Sequence, residues 1–258
     1  MSGAADRPAI RVVWLYPELM NVYADRGNVI ALEARCAALG VGCEVTRVGI
    51  GDPLPEDADL VLIGGGQDRE QRRAAPDLAR HAGTLRAWVD EDAAILAVCG
   101  GFQLFGRWYR TAEGEELPGV GVFDVTTLAP PRDEERCIGD VLARSTLEGV
   151  GEVVGFENHG GRSYLGPGAE PFAHVEFGYG NNGADGAEGA RVREAIGTYL
   201  HGSLLPRNPA LTDHLIRAAL RHRYGEAPEL PEVPDPYAAR AHRTAAAVAR
   251  RRSRRATA

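Results

Sequence analysis

Short apolar runs alternate with amphipathic stretches over the first hundred residues, and this alternation predicts the architecture. Residues 10–16, 43–48, 60–63 and 94–98 read as strands, and residues 29–39 and 77–90 as the helices between them. Such a β-α-β order predicts an α/β fold, a mostly parallel sheet with helices on both faces and its chemistry at the carboxyl ends of the strands. From residue 117 to 200 the pattern changes to short β-like runs at 120–128, 153–156, 174–177 and 196–200, separated by glycine-rich turns. These predict antiparallel additions to the sheet. A helix over 209–223 closes the body, so the chain divides into a domain over residues 1–224 and a segment over 225–258. That segment opens with Pro228, Pro231, Pro234 and Pro236 and continues as an Ala/Arg-rich stretch suited to a helix.

The strand at 94–98 runs into Cys99, Gly100 and Gly101. A nucleophile at a strand-to-helix elbow needs small neighbours, because the backbone turns sharply while the side chain stays accessible. The amides opening the following helix then favour thiolate over thiol, and thiolate is the reactive form. A buried cysteine of purely packing value is the competing reading. His201 ends the run AIGTYLHG and so also emerges from the carboxyl end of a strand. Beside Cys99, an imidazole supplies both the base that forms the thiolate and the acid that protonates a departing amine. Gly64, Gly65 and Gly66 follow the strand at 60–63, where bare amides approach a substrate closely. The amides of Gly65, Gly66 and Gly100 are therefore the candidate donors for a tetrahedral oxyanion. Gly178, Gly180 and Gly183 spell GxGxxG, but a loop rather than a helix follows, so a binding or structural loop is expected in place of a dinucleotide site.

Composition narrows the chemistry. All 29 basic residues are arginine. Without lysine there is no P-loop and no Schiff base, so any ATP-dependent activation belongs to another chain. Cys36, Cys43, Cys99 and Cys137 show no metal-ligand spacing and no disulfide framework, and neither a metal nor a cofactor is expected on this chain. The first apolar run is too short to span a bilayer, which makes a cytoplasmic address the expectation. Charge is segregated: seven arginines and no acids follow Asp235, which leaves about −14 on the preceding body out of a net −7. That imbalance argues against nucleic acid as a partner.

Together, VCGGFQLFG, GGGQDREQ, GFENHGGRSYLG, FGYGNNG and GTYLHGSLLPRNP resemble the class I glutamine amidotransferases of the cobyric acid synthase branch. Within it they are most similar to the glutaminase subunits of lipid II isoglutaminyl synthases, over about residues 12–222. The resemblance implies a flavodoxin-like fold and glutamine hydrolysis through Cys99 and His201. It further implies a heterodimer with a MurT-like Mur ligase, which holds ATP and Mg and uses the ammonia to amidate the D-glutamate α-carboxylate of the peptidoglycan stem near the inner membrane face. Arg136 matches an arginine that contacts substrate in such proteins, where a guanidinium suits the α-carboxylate of glutamine. Gln103 is a weaker candidate for substrate contact, and Glu157, Asn158 and His159 are expected to be architectural or a partner surface, His159 being the second-choice base. One departure stands out: where most class I amidotransferases carry a glutamate two residues after the histidine, this chain has Ser203. A carboxylate of the ligase subunit is therefore expected to orient His201. A glutaminase serving another amidation such as that of cobyrinate, and a non-catalytic regulatory module, are the competing readings.

Overall fold

The computed structural model describes residues 7–131, 134–201 and 204–256. Its centre is a six-stranded sheet built from β1 (Ala9–Leu15), β2 (Gly42–Val48), β3 (Leu60–Ile63), β4 (Ala94–Val98), β13 (Ala190–Val192) and β14 (Ala195–Thr198). The order is β13-β14-β4-β3-β1-β2, parallel except for β13. β3 and β4 are buried along their whole length, as their unbroken apolar runs require of strands covered on both faces. Leaving β1 for β2 and leaving β3 for β4 step across the sheet in opposite directions. Right-handed crossovers therefore put α1 (Arg26–Ala38) on one face and α2 (Asp68–Arg80) with α3 (Ala82–Asp90) on the other. The short α5 (Leu204–Arg207) and α6 (Pro209–Tyr224) pack beside α1, α6 also against β1 and β4, and the short α4 (Gly100–Phe105) packs with α2 against β4 and β14. This is the predicted α/β class with helices on both faces.

Two expectations need correction. The helix over 77–90 is two helices, and the first begins nine residues earlier, at Asp68. The run DREQRRAA conceals it because its buried face is made of Gln71, Ala74 and Ala75 rather than large apolar residues, and because Pro76 sits inside the helix instead of opening it. The β-like runs after residue 117 do not simply extend the main sheet. β5 (Trp108–Arg110), β6 (Glu116–Pro118), β7 (Val125–Leu128) and β10 (Arg162–Leu165) form a second sheet. β8 (Cys137–Ser145), β9 (Glu152–His159), β11 (Ala173–Phe177) and β12 (Ala187–Glu188) form a third. Many of these strands are two to four residues long, below the length at which alternation becomes readable.

The segment after Tyr224 lies against the body. Arg35 grips it by donating to the Val233 carbonyl while pairing with Asp213. α7 (Pro236–Ala256) then crosses the third sheet, burying Ala246 and Ala249 against Leu142 and Val154. Two arginines of the acid-free end face body carboxylates, Arg250 on Glu152 and Arg252 on Asp140, each at 2.6 Å. Among the described residues no helix is long and apolar enough to cross a membrane.

β14 lies so close to α4 that Gly197 has no room for a side chain. An added Cβ would stand 2.1 Å from the Phe102 ring and 2.9 Å from Phe123. Gly197→Ala is expected to overpack this seam and cost about 1–3 kcal/mol, read as a lowered midpoint in thermal unfolding.

Candidate functional site

β4 and β14 are parallel neighbours with Val98 opposite Thr198, so the segments leaving them emerge side by side. Cys99 is the first residue past that rung, its amide donating to the Thr198 carbonyl at 2.7 Å. Its backbone stands at φ 49° and ψ −103°, a left-handed, strained conformation for a side chain with a Cβ. The elbow is thus present, with Cys99 only 9% exposed in the lining of a cleft of about 690 Å³. A Cβ on Gly100 would fall 2.7 Å from the Gly66 amide nitrogen, which leaves the two backbones stacked at the cleft floor.

His201 follows two residues after Tyr199 and is pinned by a pair of backbone hydrogen bonds with Phe156 of β9. Its imidazole is fully buried. Nδ1–H donates to Asp25 Oδ1 at 3.3 Å, and Asp25 Oδ2 in turn accepts the Gly65 amide at 2.7 Å. With Nδ1 turned to Asp25, Nε2 has no partner of normal hydrogen-bond geometry among the described residues, and it is the nitrogen left for the Cys99 side chain, whose hydrogen bond is one of the influences on His201. The three side chains close around one position: a Cβ on Gly65 would meet His201 Cε1 at 2.7 Å, Asp25 Oδ2 at 3.3 Å and Cys99 Cβ at 3.4 Å. Only a glycine leaves space for all of them.

Burial works against a charged imidazole here, but the negative sulfur of Cys99 and then the Asp25 carboxylate outweigh it and push His201 up to about 10. The arrangement therefore favours the protonated imidazole at His201, beside the sulfur of Cys99.

Asp25 is the residue that sequence reasoning missed. It precedes α1, where an aspartate reads as a helix cap, yet its side chain makes no capping bond. It corrects the expectation that a carboxylate from outside the chain must orient His201, for this chain supplies one. Ser203 lies outside the described residues. Gly65 also leaves the expected oxyanion set, because its N–H is already committed to Asp25. Gly66 and Gly100 remain.

Gln103 lines the cleft, but both ends of its amide are occupied: Oε1 accepts from Gln71 and Nε2 donates to Tyr199. Arg136 stands at the cleft wall, bound to Asn158 through Nε to Oδ1 and Nη2 to the carbonyl, both at 3.0 Å. His159 stacks on Tyr199 at 3.6 Å and donates Nδ1–H to the Gly161 carbonyl. Burial holds its pKa below the usual histidine range. Glu157 accepts the Tyr179 and Gly180 amides, so the backbone of the GxGxxG run is engaged by a buried carboxylate and is closed to a pyrophosphate. Glu188, a second buried carboxylate, takes hydrogen bonds from Thr198 and the Tyr199 amide and braces the segment leading to His201; burial pushes it up to about 7.

Comparison with known proteins gives a consistent answer. The CobB/CobQ-like glutamine amidotransferase domain matches residues 11–209. The chain is 38% identical over 205 residues to the lipid II isoglutaminyl synthase (glutamine-hydrolyzing) subunit GatD of Staphylococcus aureus, spanning 79% of this chain and 82% of that protein. It is 36% identical over 228 residues to the same-named subunit of Streptococcus pneumoniae, spanning 88% and 86%. Among solved structures, a glutamine amidotransferase superposes over 80% of this chain with a TM-score of 0.55 at 20% identity, which supports the fold.

Because His201 has a raised pKa in the folded state, its contribution to stability is fully present below about pH 6.5 and is lost as pH rises through about 10. Asp25→Asn removes one of the causes of that shift. The His201 titration midpoint, followed by NMR of the ring protons, is expected to fall from about 10 toward the ordinary histidine value.

Proposed function

This chain belongs to the CobB/CobQ-like glutamine amidotransferases, and on that footing we propose that it hydrolyses glutamine through Cys99 and His201 and passes the ammonia to a MurT-like ligase for lipid II amidation. The observation that carries the reading is the convergence of Cys99, His201 and Asp25 around Gly65 at the carboxyl edge of the sheet. The Cys99 thiolate attacks the side-chain amide carbon of glutamine. Its developing oxyanion is held by the Gly66 and Gly100 amides, each donor worth roughly 10²–10³ in rate. The His201 imidazolium gives its proton to the departing nitrogen, ammonia leaves, and a γ-glutamyl thioester remains. Water then attacks the thioester with His201 as base, releasing glutamate and restoring the thiolate. Arg136, on the wall of the same cleft, binds the α-carboxylate of glutamine, and Gln103 contributes to the cleft floor from within its amide network.

The likeness to GatD supports this acceptor reaction. Amidating a carboxylate requires its activation by ATP, and a chain without lysine has no P-loop to bind it. The partner ligase, with its ATP and Mg, carries that half of the reaction at the cytoplasmic face where lipid-linked precursors are modified.

Cys99→Ala is expected to reduce ammonia release from glutamine by at least 10³-fold with thermal stability near that of the parent chain, and to abolish covalent labelling by a diazoketone analogue of glutamine. Turnover near the parent rate would refute the assignment. Recovery of a Mur-ligase-like ATPase on the tagged parent chain from its native cell tests the partner, and its absence would remove the lipid II assignment while leaving the hydrolase.

A further inference from the structure

Tyr23 occupies a position that the reaction above does not use. It lies in the short turn Val22–Ala24, between Met20 and Asp25, and its backbone is left-handed at φ 57° and ψ 32°. A bulky side chain rarely adopts that conformation, which persists only where its surroundings over-determine it. Here they do. The ring stands edge-on to the His201 imidazole with centroids 5.0 Å apart, and edge-on to Phe156 at 6.2 Å. The hydroxyl accepts a hydrogen bond from Asn158 Nδ2 at 2.5 Å. Phe156 and Asn158 are alternate residues of β9 and so share one face of the strand. One meets the tyrosine ring and the other its hydroxyl. Asn158 in turn holds Arg136 through both its side-chain and main-chain oxygens.

We propose that Tyr23 is a positioning residue that joins the two ends of the substrate. Its ring walls the imidazole of His201, and its hydroxyl, through Asn158, fixes the Arg136 guanidinium that receives the α-carboxylate. The inference rests on the glutamine hydrolysis proposed above. Tyr23, Asn158 and Arg136 all line the cleft that contains Cys99, and Tyr23 is 45% exposed, so the connection runs along the cleft wall and not through the core. Carboxylate capture at Arg136 and alignment of the imidazole are then parts of one braced wall. A ligand that fills the Arg136 end stiffens the Tyr23 side as well, which explains why a strained tyrosine is kept where a glycine would be relaxed.

The test measures glutamine affinity by calorimetry in the Cys99→Ala chain, where no turnover occurs. Adding Tyr23→Phe keeps the ring and removes only the hydroxyl. A single lost hydrogen bond corresponds to a weakening of about fivefold. Adding Tyr23→Phe to an Asn158→Ala chain is expected to cost nothing further, because the hydroxyl then has no partner to orient. In the catalytically intact chain, Tyr23→Phe shifts KM more than kcat, whereas Tyr23→Ala, which also removes the wall, lowers kcat. Equal glutamine affinity with and without the hydroxyl, or fully additive losses in the Asn158→Ala background, would overturn the proposal and leave glutamine hydrolysis standing. Failure of the parent chain to bind glutamine would overturn both.

Discussion

The parallel rung that seats Thr198 beside Val98 is the constraint on which the site depends. Adjacent parallel strands deliver their carboxyl ends to one edge, so two segments about a hundred residues apart in sequence arrive as neighbours through the main-chain pairing of the sheet, before any side chain takes part. Cys99 turns at once into α4, while the other segment continues for two residues before β9 captures His201 by main-chain bonds. The sulfur is therefore fixed by a helix start and the imidazole by a strand. Both supports are rigid elements, and that is what holds reactive groups to the tolerance chemistry demands.

The glycines of the 64–66 run serve this packing more than they serve flexibility. The segment from Met20 to Asp25 crosses them so closely that a Cβ at Gly64 would strike the Met20 carbonyl at 2.4 Å, and one at Gly66 the Met20 sulfur at 2.5 Å. Close approach of that segment is what brings Asp25 to the imidazole. The same residues thus have two duties: Gly65 gives its amide to Asp25, and Gly66 faces Gly100 at the cleft floor.

Legibility followed the range of each signal. The elbow at Cys99 was readable because its requirements are local: an apolar strand, two residues without side chains, then a helix. His201 was readable because the run before it is a buried strand with the same kind of ending. Asp25 was not, since its partner lies 176 positions away and its immediate sequence describes a helix start. The clue available was the pairing of an apparent cap with the tight MNVYADRGN turn, and that clue gains meaning only when the strand order is known. Runs inside β7, β9 and β11 were readable, but β5, β6, β10 and β12 escaped for a different reason. Strands of two to four residues owe their existence to their neighbours, so propensity and alternation cannot announce them. The arginine-rich end also read as an electrostatic object apart from the body, whereas small alanines at Ala246 and Ala249 let α7 lie flat on the third sheet and bring its arginines onto body carboxylates.

The origin of the His201 shift bears on how one imidazole serves two opposite steps. Of the influences that raise its pKa, the charge on Cys99 comes first, ahead of Asp25. That charge exists only while the sulfur is a free thiolate. In the hydrolysis proposed above, an acylated sulfur would be neutral, and the first-ranked support for the imidazolium would be gone once its proton had been given away. Burial, which opposes charge, then has only Asp25 set against it, and the neutral imidazole becomes the favoured form. On that proposal, a histidine that begins as a strong holder of a proton would be converted, by the covalent step itself, into a base able to take one from water. The switch needs no movement of the protein, because the group that changes state is the nucleophile beside it.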